Sequence, residues 1–238
     1  MKIVLGTMTF SDQVGYDVAE NMVRAFKQAD HTELDTAFVY NQGKTECLLG
    51  ELNKQGNLDS LLLAGKANPW AENGLTPKSV KLQLNTSLER LNASSLDLFY
   101  LHAPDLSVPI IDTLSSVAQL HSEGKFNRFG LSNYASWQVA EIVEICRAEG
   151  WLVPTVYQGM YNALTRDVER ELFPCLENYG ISFYSYNPLA GGLLSGKHFS
   201  LDALPKDGRF ASFNGYQDRY WKAEYFSVVN SMSPQCRV

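Results

Sequence analysis

Apolar residues along the chain keep two alternating rhythms. Short, nearly continuous apolar runs, such as strands buried on both faces require, are separated by stretches with apolar residues at i, i+3, i+4 and i+7, the spacing that lines one face of a helix. Lys2–Gly6 predicts a strand, and Ala19, Met22, Val23 and Phe26 then form the inner face of a helix over Asp17–Ala29. Thr32–Thr36 predicts a second strand and Lys44–Leu52 a helix; Leu61–Lys66 predicts a third strand. Pro77 stands at a favourable first-turn position for the next helix, with Val80, Leu84, Leu88 and Leu91 on one face. Leu96–His102, nearly all apolar, predicts a fourth strand. Ile110, Leu114 and Val117 mark a helix that Gly124 caps. Phe129–Ser132, Pro154–Gln158 and Ile181–Tyr186 predict the fifth, sixth and seventh strands. Between them, Val139, Ile142, Val143 and Cys146 line one helix ended by Gly150. Val168, Leu172, Cys175 and Leu176 line another, ended near Gly180.

Strict β–α alternation implies parallel strands with helices outside, in either a doubly wound open sheet or a closed (β/α)8 barrel. About seven units at ~30-residue spacing favour the α/β barrel. After Tyr186 come a Gly-rich stretch, a long loop to about Phe210 and a predicted helix near Tyr220–Val229. Ser231–Val238 has no apolar period and Pro234 stops a helix, so no eighth strand is predicted. The expectation is one barrel domain over 1–238, C-terminally incomplete, with a divergent tail at 230–238 and open edges on the first and seventh strands.

Composition narrows the function. The chain has 238 residues and a net charge of −6, with no densely basic stretch, so nucleic-acid binding lacks its main driving force. No apolar run approaches the ~18 residues of a membrane span, and no signal-peptide pattern opens the chain. Cys47, Cys146, Cys175 and Cys236 are irregularly spaced without a CxxC, which suggests neither a zinc site nor a disulfide framework. A reduced, cytoplasmic chain is expected.

Barrel enzymes carry their chemistry at the C-terminal ends of strands. Three consecutive predicted strands end there with Asp35 and Tyr40, with Lys66, and with His102. Each alone has an ordinary structural reading: Asp35 capping a loop, Tyr40 packing, Lys66 extending its stem outward, His102 hydrogen-bonded in the core. Together they form a proton-donor set. A free phenol, with a pKa of about 10, is a weak acid near neutrality, and a neighbouring ammonium favours its ionised form. An aspartate would hold that lysine charged and oriented. A neutral histidine could position a carbonyl oxygen and stabilise developing negative charge. The set holds neither a nucleophile nor a metal site, so hydride would come from a cofactor.

In order, spacing and strand position these residues resemble the catalytic tetrad of the aldo-keto reductases. Gly-Thr-Met at 6–8, Asp-Thr-Ala at 35–37, Tyr-Leu-His-Ala-Pro-Asp at 100–105 and Gly-Leu-Ser-Asn-Tyr at 130–134 are similar to that family. Tyr-Gln-Gly-Met-Tyr-Asn at 157–162, Leu-Phe-Pro-Cys-Leu at 172–176 and the run at 187–197 resemble its aflatoxin-aldehyde and succinic-semialdehyde reductase branch. The resemblance runs from Ile3 to about Phe226. It implies NADPH-dependent reduction of aromatic, dicarbonyl or carboxylate-bearing aldehydes, with Tyr40 as proton donor. It implies that Ser132, Asn133 and Gln158 hold the nicotinamide carboxamide, that Asp35 also binds the cofactor, and that Tyr184 lies in the strand whose ring stacks on the nicotinamide. Asn187-Pro188-Leu189-Ala190-Gly191-Gly192-Leu193-Leu194-Ser195-Gly196-Lys197 would wrap the pyrophosphate, and Arg209 would reach the phosphates. Tyr216 and Arg219, with Tyr40 and His102, would contact substrate, Arg219 through a substrate carboxylate.

Gly191-x4-Gly196-Lys197 nearly spells a nucleotide-hydrolase phosphate loop, but His198 stands where Ser or Thr would bind magnesium, so a dinucleotide loop is the reading kept. Family members continue beyond this length through the eighth strand and the loop that binds the adenosine 2′-phosphate. The alternative expectation is therefore a catalytically impaired isoform or paralogue acting through full-length subunits. Since this branch often dimerises, a homodimer or association with full-length relatives is the implied protein partnership, beside the small aldehyde substrate.

Overall fold

The computed structural model describes residues 2–212 and 214–232. Seven strands form one sheet in the order β1-β2-β3-β4-β5-β6-β7: Val4–Gly6, Glu33–Asp35, Leu62–Ala67, Leu96–Leu101, Phe126–Ser132, Val156–Met160 and Ser182–Tyr186. All residue pairings from β1 through β6 are parallel. The strand order never reverses, whereas a doubly wound sheet turns back at a switch point. The sequential order is that of the barrel class.

Several of the helices have an identifiable cause. Helix α1 (Tyr16–Gln28) buries Ala19, Val23 and Phe26, while Met22, expected on that face, is exposed, because the buried stripe is narrower than the apolar one. Helix α2 spans Lys44–Lys54. Helix α3 (Pro77–Leu91) starts where Thr76 Oγ1 accepts from the Ser79 amide with Pro77 in the first turn, and ends on Asn92 at φ 49°. Helices α4 (Ile110–Ser122) and α5 (Ser136–Ala148) are followed by Gly124 and Gly150 in the left-handed region. Helix α6 is Leu172–Tyr179. Val168, expected within it, lies in a separate 3-10 turn over Asp167–Glu169.

Strand limits shift by one to three residues from the expected ones, because pairing to neighbours, not apolarity, defines a strand end. Lys2 and Ile3 precede β1, while β5 begins at Phe126 because it pairs with Leu96. The described residues contain no eighth strand, and Pro234 and Cys236 lie outside them.

The chain groups into two compact units. The first runs to Gln158 and includes Pro174–Phe183. It holds the sheet core of Leu98, Phe99, Tyr100, Phe129 and Leu131, and Ser182 N donates to Thr155 O at 3.0 Å.

The second comprises Gly159–Phe173 and the residues from Tyr184 onward. Its core is Ala190, Leu193, Phe210, Tyr220, Phe226 and Val229. The helix expected near Tyr220–Val229 is α9 (Ala223–Met232); α7 (Arg209–Ser212) and α8 (Asn214–Tyr220) precede it, and a break at Trp221 separates α8 from α9. The break follows from two adjacent aromatics with separate anchors. The Tyr220 hydroxyl takes a hydrogen bond from Asn162 Nδ2 at 3.1 Å. Trp221 donates from Nε1 to Leu201 O at 2.8 Å and packs edge-on against Phe210 and Phe226. Consecutive helical positions point ~100° apart, so one unbroken helix could not seat both.

Candidate active site

Side chains two apart on a strand share a face. Asp35 pairs with Ala64, which puts Lys66 one row higher on the same face. Lys66 pairs with Tyr100, so His102 follows on that face. Tyr100 pairs with Gly130, which brings Ser132 to it, and Ser132 pairs with Gln158. Strand parity alone thus gathers Asp35, Lys66, His102, Ser132 and Gln158 at one end of one face. Gln158 Nε2 reaches Asp35 Oδ1 at 2.9 Å across 123 residues of sequence, so within this unit the face is concave.

Lys66 does not extend outward: it is 1% exposed, and its Nζ donates to Asp35 Oδ2 at 2.6 Å and to Thr36 O at 2.7 Å. The Tyr100 ring lies 5.5 Å from that nitrogen. Gly130 is required here, since a Cβ would stand 2.5 Å from the Tyr100 ring. Below Asp35, its carbonyl accepts from both the amide and the hydroxyl of Thr7, at 3.0 and 2.8 Å.

Tyr40 approaches from the loop after β2. Its ring centroid is 5.3 Å from Lys66 Nζ and 6.0 Å from the His102 ring, which it meets at 84°. The next three residues are all left-handed: Asn41 at φ 48°, Gln42 at φ 56° and Gly43 at φ 87°. Asn41 Nδ2 ties this turn to Met8 O at 3.1 Å, Phe10 O at 2.8 Å and Thr45 Oγ1 at 3.1 Å.

Burial pushes the Lys66 ammonium's pKa down, while Asp35 and then Glu46 push it back up. His102 falls from 6.5 to about 3, through burial first and the Lys66 charge second. It is therefore neutral across the ordinary range, and its Nδ1 is buried without a hydrogen-bond partner among the described residues. Asn133 Nδ2 donates to His102 O at 2.9 Å and to Ser132 Oγ at 3.0 Å, which ties these two residues to the end of β4.

The other candidates belong to the second unit. Tyr184 is half-buried in β7. The 187–197 run is a left-handed turn: Asn187, Ala190, Gly191, Gly192 and Gly196 all have positive φ. Tyr216 donates to Asn187 Oδ1 at 3.0 Å, and its ring occupies the space where a Gly191 Cβ would stand, 2.6 Å away. Arg209 lies over the Tyr216 ring at 5.0 Å and donates to its hydroxyl at 3.3 Å. The structure thus joins a residue expected at phosphate to one expected at substrate. Arg219 is exposed, with Nη1 3.6 Å from Met160 Sδ.

Three contributors escaped the sequence reading. The Thr36 carbonyl is backbone and leaves no sequence signal. Asn41 is polar in a polar loop. Trp70, 65% exposed yet edge-on to His102 at 5.4 Å, is an aromatic four residues past Lys66, a spacing that could have marked it.

No group of three or more His, Cys, Asp or Glu among the described residues is placed to hold a metal ion. None of the described helices is long and apolar enough to cross a membrane.

Comparison with known proteins agrees with the fold. The model of the aldo/keto reductase family matches residues 2–230. Aflatoxin B1 aldehyde reductase member 2 of Homo sapiens is 51% identical over 95% of this chain and 65% of its own length. Aflatoxin B1 aldehyde reductase member 4 of Homo sapiens is 50% identical over 95% of this chain and 70% of its own. The aldo-keto reductase pigE of Monascus ruber is 37% identical over 90% and 66%. The chain thus spans just under two thirds of the first of these relatives. A strand order without reversal, four ionisable residues gathered on one face and a match over almost the whole chain lead to one assignment: this protein belongs to the aldo/keto reductase family.

Proposed function

We propose that this face reduces aldehydes to alcohols with hydride from a reduced nicotinamide dinucleotide, NADPH by preference, and with Tyr40 as proton donor. The observation that carries this reading is the division of labour among three candidate acids. His102 is neutral above about pH 3. Lys66 is buried, with two of its three N–H donors committed to Asp35 and Thr36. Tyr40 stands beside both with its phenol partly exposed.

The donor set fits the dinucleotide. A carboxamide needs both donors and acceptors, and the Ser132 hydroxyl with the Asn133 and Gln158 amides offers both. The glycine-rich turn at 191–196 suits close backbone approach of a pyrophosphate. When bound, the dinucleotide supplies hydride to the carbonyl carbon. The Tyr40 hydroxyl gives its proton to the carbonyl oxygen, so the product is the alcohol. Lys66 favours the phenolate left behind, and Asp35 offsets the cost of burying that ammonium. Neutral His102 orients the carbonyl oxygen as negative charge develops on it. The names of the human relatives point to aldehydes as substrates, and an exposed Arg219 suits those with a carboxylate.

The test is Tyr40→Phe. Reduction of an aromatic aldehyde should fall at least about a hundredfold, the lower end of what a positioned acid contributes, while NADPH affinity stays within about threefold, under ~1 kcal/mol. Retained turnover would assign the proton to another group. An equal response to NADH would remove the preference for NADPH.

A further inference from the structure

The strained turn beyond Tyr40 is held from both sides, and the second hold lies outside the residues assigned so far. Three successive left-handed residues persist only when their surroundings fix them. Asn41 secures one side. On the other stands Arg90, near the end of α3. Its Nη1 donates to Phe38 O at 3.4 Å and to Glu46 Oε2 at 3.0 Å. The guanidinium carbon lies 4.7 Å over the Phe38 ring. At Gly43 a Cβ would meet the same guanidinium at 2.4 Å. Glu46 is fully buried, so the arginine is anchored at its far end by a charge that cannot swing into water.

We propose that Arg90 is a positioning residue for Tyr40: one guanidinium holds both ends of the loop 38–43 and thereby the phenol that the loop carries. The kinetic part rests on the reading of Tyr40 as proton donor. The chemistry explains why arginine stands here. Arg90 Nη1 hydrogen-bonds a carbonyl and a carboxylate while the guanidinium plane presents its face to the Phe38 ring, whereas an ammonium is a point charge without a face. Gly43 completes the fit, being both left-handed and without a Cβ. A merely structural Arg90 would neutralise Glu46 and do nothing at Tyr40.

The experiment compares wild type with Arg90→Lys and with the double variant Arg90→Met, Glu46→Gln, in which neither charge remains. Turnover of an aromatic aldehyde, its KM, NADPH affinity and peptide-level hydrogen exchange are measured on each. Arg90→Lys should lower kcat at least about tenfold, as small misplacement of a reacting group does. KM and NADPH affinity should stay within about threefold. Exchange should rise at least about tenfold in peptides covering 38–43 and stay unchanged in those covering 96–101. The double variant should remain slow, because removing the charge conflict does not restore the hold on Phe38. Unchanged exchange at 38–43, or recovery of kcat in the double variant, would overturn the proposal. If wild type binds NADPH but turns over no aldehyde, the reading of Tyr40 as donor fails, while the exchange data still decide whether Arg90 holds the loop.

Discussion

His102 has a pKa near 3 in the folded chain and 6.5 as an ordinary imidazole, because burial and the Lys66 charge both oppose its protonation. The unfolded chain therefore binds more protons than the folded chain between pH 6.5 and about 3, and stability rises with pH across that window. Acidification below 6.5 should lower the melting temperature of wild type more steeply than that of His102→Gln. Parallel curves for the two would mean that His102 protonates without cost. At Lys66 the expected effect is already present at neutral pH. Lys66→Met leaves the Asp35 carboxylate buried without its counter-charge, a change of roughly 3–5 kcal/mol. The variant should melt well below wild type at pH 7 and regain stability when Asp35→Asn is added; a double variant no more stable than the single one would remove the ion pair as the cause. Arg219 belongs to this scale too. If it meets a substrate carboxylate, Arg219→Ala should raise KM for succinic semialdehyde at least about tenfold, from a charged hydrogen bond of ~1.5–3 kcal/mol, and leave a neutral aromatic aldehyde unaffected. Equal losses would return Arg219 to the solvated surface.

Among the elements, the turn at 187–197 offers an internal control. Gly191 and Gly196 are both left-handed, at φ 70° and 74°, so alanine strains either by about 1 kcal/mol. Only Gly191 faces the Tyr216 ring, at 2.6 Å, whereas nothing lies within 4 Å of a Cβ at Gly196. Gly191→Ala should therefore weaken NADPH binding and thermal stability more than Gly196→Ala, and equal effects would show that the ring gives way. Such relations mark where sequence stops being informative. The strands were legible because a strand buried on both faces must be largely apolar, and Leu96–Leu101 is, with Asp97 its one charged residue. The tetrad was legible because parity on parallel strands carries residue spacing into space. The turn after Tyr40 was not, since the partners of Asn41 are backbone carbonyls of Met8 and Phe10. Nor was the break at Trp221, where propensity favours continuing and tertiary anchoring of two aromatics wins. Arg209 and Tyr216 were each noticed, but their contact depends on how a loop folds back, which no periodicity encodes.

At the scale of the molecule, the end of the sheet away from Asp35, Lys66 and His102 carries a network of its own. Arg128 on β5 pairs with Glu33 on β2 at 2.6 Å and also with Asp97, while Lys2 reaches the same Glu33. The Glu33 side chain is only 3% exposed. Arg128→Ala should destabilise the chain by about 3 kcal/mol, since a buried carboxylate loses a partner, and should leave NADPH affinity unaltered; a fall in affinity together with stability would show that the two ends of the sheet are coupled.

The bond from Gln158 to Asp35 also has a history in time. It closes a loop of 123 residues, so no segment shorter than that can contain both of its ends. On a ribosome adding ~5–20 residues per second, the interval between synthesis of the two residues is roughly 6–25 s. For the later part of that interval, once Lys66 has also been made, the nascent chain presents the Asp35 carboxylate and the Lys66 ammonium without the strand that completes their enclosure. Ordering so distant a pair comes late and slowly, because chain entropy is lost before the contact repays it. A chaperone or an early-binding dinucleotide would meet this protein first as an open half-site.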